Sequence, residues 1–73
     1  MEIKARIPGK LIAVHVKEGD SVKKGDILAH LEAMKLENPI TAPVDGTVGP
    51  LTLGVGDIVK IGEVILTVLP AEE

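Results

Sequence analysis

The chain has 73 residues, of which 25 are isoleucine, leucine or valine, enough apolar content for one small packed core and no more. It has no cysteine, which excludes disulfides and thiolate metal sites, and no Phe, Trp or Tyr, which removes the side chains that stack on nucleic-acid bases; a net charge of −3 argues further against a phosphate-backbone partner. No apolar run is long enough to cross a bilayer, and Glu2, Lys4 and Arg6 interrupt any signal-like N-terminus, so a cytoplasmic carrier, adaptor or binding module is expected rather than a membrane protein or an enzyme with a deep pocket.

In chain order, Pro8-Gly9 reads as a turn and Leu11 to Val16 as a strand, with Ile12, Val14 and Val16 on one face and Ala13 and His15 on the other. Gly19-Asp20-Ser21-Val22-Lys23-Lys24-Gly25 then reads as a tight crossing, its glycines in left-handed or crowded positions and Val22 plugging the core beneath. A second strand, Ile27 to Glu32, places Ile27, Ala29 and Leu31 on one face. Ala42-Pro43 and Asp45-Gly46 are turns, and Pro50 falls inside a predicted strand, which requires an edge or a bulge there. The apolar run Val64 to Leu69 is the last strand.

A shift of 37 residues lays the second half on the first. Gly9 falls on Gly46, Gly19 on Gly56, Asp20 on Asp57, Val22 on Val59, Lys23 on Lys60 and Gly25 on Gly62. Apolar positions follow: Val14 with Leu51, Val16 with Leu53, Ile27 with Val64, Leu31 with Val68. Two copies, at about 8–33 and 45–70, are too few for a solenoid. They predict an all-β sandwich of about eight short strands in two antiparallel sheets, with internal pseudo-two-fold symmetry and a single domain over residues 1–73. Under the same shift His15 and His30 fall on Thr52 and Thr67, so both are expected to be outward strand residues rather than metal ligands. Lys17, Lys23 and Lys24 are balanced by Glu18, Asp20 and Asp26 and read as a solvated face.

One segment resists this pattern. Glu32-Ala33-Met34-Lys35-Leu36-Glu37-Asn38 is made of good helix formers, yet it lies between two strands and has to act as a hairpin turn without a glycine, with Asn38 coming late. Met34 and Leu36 become large apolar side chains on an exposed tip. Under the repeat this segment falls on Pro70-Ala71-Glu72, so the Lys35 tip and the chain end occupy equivalent, opposite places. Breaks in local rules of this kind concentrate at functional sites.

That segment resembles the Glu-Ala-Met-Lys-Met-Glu motif of biotin carboxyl carrier domains, in the biotinyl/lipoyl attachment family. Ile7-Pro8-Gly9-Lys10, Ala42-Pro43-Val44-Asp45-Gly46-Thr47-Val48 and both Gly-Asp-x-Val-x-x-Gly elements are similar to further stretches of the family, so the likeness runs from about Ala5 to Leu69. Leu36 stands where methionine is more usual, a swap of similar volume, and Arg6 and Ile7 replace a small residue and methionine. Val16-Lys17-Glu18-Gly19 passes straight into a turn, leaving no room for the extra "thumb" of some acetyl-CoA carboxylase carriers. The resemblance implies a flattened barrel of two four-stranded sheets and covalent biotin on Lys35. It also implies that Glu32, Ala33, Met34 and Leu36 are read by a biotin protein ligase. The implied partners are a biotin carboxylase and a carboxyltransferase or decarboxylase, and the chain itself is a carrier rather than a catalyst. Two alternatives remain beside this reading. A lipoyl domain shares the fold but usually carries Asp-Lys-Ala at the tip; an unmodified adaptor module would not need the Met-Lys pair.

Overall fold

The computed structural model describes residues 1–71 and contains eight strands: β1 (Glu2–Lys4), β2 (Gly9–Val14), β3 (Ser21–Val22), β4 (Ile27–Ala33), β5 (Leu36–Thr41), β6 (Gly46–Leu51), β7 (Ile58–Val59) and β8 (Val64–Pro70). They form two four-stranded antiparallel sheets, ordered β1-β8-β6-β3 and β5-β4-β2-β7, and no helix occurs among the described residues. The expected all-β sandwich of two sheets is therefore the observed one. Glu72, on which part of the tip's counterpart falls, lies outside the described residues.

The topology explains why the repeat produces a single core. Moving 37 residues along the chain carries β2 onto β6, β3 onto β7 and β4 onto β8, and carries one sheet order onto the other. The short strand of each repeat does not stay with its own half: β3 pairs with β6 of the second repeat, and β7 pairs with β2 of the first. Each sheet thus contains one strand lent by the opposite repeat, and neither half can close its sheet alone.

The turns enforce this exchange. The Gly19 amide donates to the Val48 carbonyl at 2.8 Å, and its counterpart Gly56 donates to Leu11 at 2.7 Å. The Val48 amide returns a bond to Asp20, as Leu11 does to Asp57. Gly25 donates to Ala42 and Gly62 to Ala5, both at 2.8 Å. Within each turn an acidic side chain caps a free amide: Asp20 accepts from Lys17, Asp26 from Lys23, Asp57 from Gly54 and Glu63 from Lys60, all at 2.8–2.9 Å. Gly19, Gly25, Gly56 and Gly62 all have φ between 83° and 97°, the left-handed region expected for them. Gly9 and Gly46 serve a different purpose. A Cβ on either would collide with a backbone carbonyl of the adjacent strand, that of Glu32 or Leu69.

The core between the sheets is wholly aliphatic. Leu11, Leu28, Leu31, Val48, Val59, Ile65, Leu66 and Val68 are buried, and no polar or charged side chain is buried among the described residues. Val22 and Val59 occupy matching buried positions, as the repeat requires. Two strand faces differ from expectation. In β4 a register shift between Ile27 and Ala29 turns Ile27 outward, 48% exposed, and buries Leu28. In β2 a shift between Leu11 and Ala13 makes Leu11 the fully buried residue, leaving Ile12, Val14 and Val16 only partly covered. A bulge inserts an extra residue and so breaks the simple alternation from which a face is read. Pro50 sits where a bulge was required, within the register shift between Val48 and Leu51. Proline has no amide to give to a ladder, and the shift spares it that role.

Val59→Ala is expected to lower the unfolding free energy by about 1–3 kcal/mol through lost burial and the cavity left behind. Val22→Ala is expected to do the same. Urea denaturation followed by far-UV circular dichroism measures both, and unchanged midpoints would show that these valines do not hold the crossing.

Candidate functional site

The β4–β5 hairpin carries the residues that broke the sequence pattern. The strands pair without interruption from His30↔Pro39 through Leu31↔Asn38 and Glu32↔Glu37 to Ala33↔Leu36, which leaves a two-residue loop of Met34 and Lys35. Both loop residues have positive φ, 53° and 66°. Such a loop has the twist that suits a tight hairpin but normally recruits Asn-Gly, because a side chain in the left-handed region costs about 1–2 kcal/mol. Among non-glycine residues Met34 and Lys35 alone carry positive φ in the described chain. The strain therefore sits at the tip, held by the ladder below it and by the burial of Leu31 and Ala33.

The geometry projects the loop side chains outward. Met34 is 92% exposed and Leu36 66%, and Lys35 is exposed between them. Among the described residues no carboxylate lies within ion-pair distance of the Lys35 ammonium, and no hydrogen bond engages it. Glu32 and Glu37 face each other across the strands one step below the tip, both exposed. The structure thus brings Glu32, Met34, Lys35 and Leu36 together as one exposed surface. Ala33 departs from the expected recognition set: its side chain is buried, so it seats the turn and is not available for a partner to touch.

Asn38 has a role that the sequence left unread. Its side-chain amide donates to the Leu36 carbonyl at 3.2 Å and to the Leu31 carbonyl at 3.4 Å, bracing the hairpin behind the loop. Asparagine arrives too late to be the turn residue because it is a strut of the strand. A groove of about 590 Å³ runs between β1 and β5 past Ile3, Ile7, Asn38, Ile40 and Pro43, and Lys35 does not line it. An exposed amine on a positive-φ hairpin tip is suited to being modified and carried, since a separate enzyme can reach it.

These features define a carrier-type β sandwich with a presented lysine. The family model described as "Biotin-requiring enzyme" matches residues 1–68, and the chain belongs to this biotin/lipoyl attachment family. It is 39% identical over 67 residues to a Mycobacterium leprae protein described as "Biotinylated protein TB7.3 homolog", covering 92% of this chain and 94% of that one. It is 42% identical over 66 residues to a Bacillus subtilis "Biotin/lipoyl attachment protein", covering 90% of each. A solved single-chain, multi-domain long-chain acyl-CoA carboxylase superposes with a TM-score of 0.92 at 25% identity, over all of this chain but only 7% of that enzyme.

If the left-handed turn is strained, Met34→Gly should relieve part of it. Removing a penalty of about 1–2 kcal/mol outweighs the roughly 0.4–1 kcal/mol that glycine adds to unfolded-chain entropy. The expected urea midpoint is equal to or above that of the unsubstituted chain, and a clearly lower midpoint would show that the tip stores no strain.

Proposed function

We propose that this chain is a biotin carboxyl carrier module in which Lys35 is the attachment residue. The observation that carries the reading is the unpartnered lysine on a two-residue, positive-φ loop flanked by exposed Met34 and Leu36. Membership of the attachment family and the likeness to proteins described as biotinylated support it.

The residues fit the group. Attachment would be an amide between Lys35 Nζ and the biotin carboxyl, activated by the ligase as its adenylate, with AMP leaving and the amine losing its protons to solvent; it would remove the lysine charge and leave a long tether on the tip. Nothing beside Lys35 competes for its amine, and no core packing has to move for it to be enclosed. Lys35 would hold biotin, whose ring nitrogen would supply the point of attachment for a carboxyl group moved between a donor and an acceptor site. The chain supplies the reach and the fixed base for that movement, and tethering replaces free diffusion with a high effective concentration at both sites. The carboxylation and transfer chemistry belongs to partner enzymes. Those partners are a biotin protein ligase that loads Lys35, a biotin carboxylase, and a carboxyltransferase or decarboxylase. The chain works with them in the cytoplasm, as one domain over residues 1–73.

Met34 is the residue that separates biotin from lipoate. A flexible thioether and the branched Leu36 offer an apolar surface on either side of the lysine, where a lipoyl-type tip presents an acid and an alanine.

Two experiments test the reading. Lys35→Arg keeps charge and length but offers no acylatable amine, so incubation with biotin, ATP and biotin protein ligase is expected to give full modification of the unsubstituted chain and none of the variant, read by intact mass and streptavidin blot. Biotin on any other lysine would overturn the assignment. Met34→Asp combined with Leu36→Ala is expected to retain the amide NMR spectrum of the parent while slowing biotinylation by roughly tenfold or more, the scale of lost apolar contacts in a recognition pocket. An undiminished rate would mean that hairpin position alone directs the ligase.

A further inference from the structure

The two histidines lie outside everything the carrier reading uses, and the structure brings them together. His15 follows β2 and His30 sits in the middle of β4, fifteen residues apart in sequence, yet His15 Nε2 and His30 Nδ1 are 2.8 Å apart. The rings meet edge to face, with centroids 4.9 Å apart and planes at 88°. The pairing depends on the β2 bulge. The register shift between Leu11 and Ala13 sets Ala13 opposite His30, and the backbone amide of His15 donates to the Leu28 carbonyl at 2.8 Å. Both rings are thus mounted on paired backbone; His30 stands between buried Ala29 and Leu31, while His15 is exposed. The second repeat lacks this arrangement. At the equivalent place the Thr52 hydroxyl donates to the backbone carbonyls of Val64 and Ile65, so the histidine pair is where the pseudo-symmetry is broken in side-chain chemistry.

We propose that His15 and His30 form a bidentate site for a divalent transition-metal ion of tetragonal preference, Cu(II) above Ni(II). Two imidazole nitrogens bound cis at about 2.0–2.1 Å to a square-planar or octahedral ion lie about 2.9 Å apart, whereas a tetrahedral ion holds them at about 3.3–3.4 Å. The observed 2.8 Å is a ring-to-ring hydrogen bond that already holds the two nitrogens within reach of one ion, and the choice of copper rests on the imidazole donors and the affinity order. Imidazole donors without thiolate suit copper and nickel, and copper heads the divalent affinity order. Among the described residues no cluster of three or more histidine, cysteine, aspartate or glutamate side chains could hold a metal, so the chain contributes two ligands here and water completes the coordination. In the free pair one ring donates its N–H to the other's lone pair. Binding needs a lone pair on both facing nitrogens, so the donating ring moves its proton to its other nitrogen; no net proton is released, and both rings turn slightly toward a shared apex.

Titration of Cu(II) into the full chain, followed by calorimetry and electron paramagnetic resonance, tests the site. One Cu(II) per chain is expected at micromolar affinity, with hyperfine structure from two equivalent-type nitrogens in an axial spectrum. His15→Ala and His30→Ala are each expected to weaken binding by roughly tenfold or more. Amide NMR spectra establish that the variants are folded, and His15→Ala, at an exposed position, supplies the answer if His30→Ala does not fold. Lys35→Arg should bind copper as the parent does, which keeps this result independent of the attachment reading. Parent-like affinity in folded His15→Ala, binding only at millimolar copper, or a spectrum with a single nitrogen would overturn the proposal.

Discussion

The fold depends on the reciprocal hydrogen bonding of its two Gly-Asp crossings. Each crossing gives one glycine amide to a strand of the other repeat, Gly19 to Val48 and Gly56 to Leu11, and a second to the residue just past β5 or β1, Gly25 to Ala42 and Gly62 to Ala5. The four glycines are exposed, so these bonds act by fixing which segments lie side by side rather than by sparing an amide from burial. With them in place β3 and β7 sit in the opposite sheets, and the two apolar faces meet between the sheets. An aliphatic core with no aromatic residue can then be small, because the backbone exchange, as much as side-chain volume, specifies how the sheets meet.

The same exchange frees the hairpin tip from structural duty. β4 is the longest strand beside β8, and it is paired on both sides, by β2 and by β5. Its ladder continues to Ala33↔Leu36, and Asn38 reinforces it from behind, so the unfavourable backbone of Met34 and Lys35 is tolerated. At the symmetry-related place β8 pairs with β1, and the Met1 amine donates to the Val68 carbonyl as part of that ladder. The β4–β5 loop holds the exposed lysine.

Symmetry is also broken on the sheet surface. The Thr52 hydroxyl is absorbed by the backbone beside it, whereas His15 and His30 are bonded only to each other through their rings. Backbone duplication fixes where side chains stand; it does not dictate what they are. The Lys35 loop and the histidine pair are consequently the two places on this framework where the proposed chemistry stands.

Much of this was legible in the 73 residues. The 37-residue repeat, the Gly-Asp turns, the buried Val22 and Val59, the bulge at Pro50 and the exposed Met-Lys tip all follow from local rules: left-handed glycine, proline without an amide, apolar residues where a turn should be polar. Those rules act within a few residues, so sequence carries them. Tertiary structure alone decided the rest. The bulges in β2 and β4 made Leu11 and Leu28 inner residues and turned Ile27 outward, while Ala29 and Leu31 stayed inside as expected, because a bulge is stabilised by its partner strand and leaves no mark on its own alternation. Ala33 became part of the support rather than the surface, and Asn38 became a brace, since both roles depend on what lies across the hairpin. The meeting of His15 and His30 belongs to the same class: proximity across strands is set by register, and register is a property of two segments, not of either one read alone.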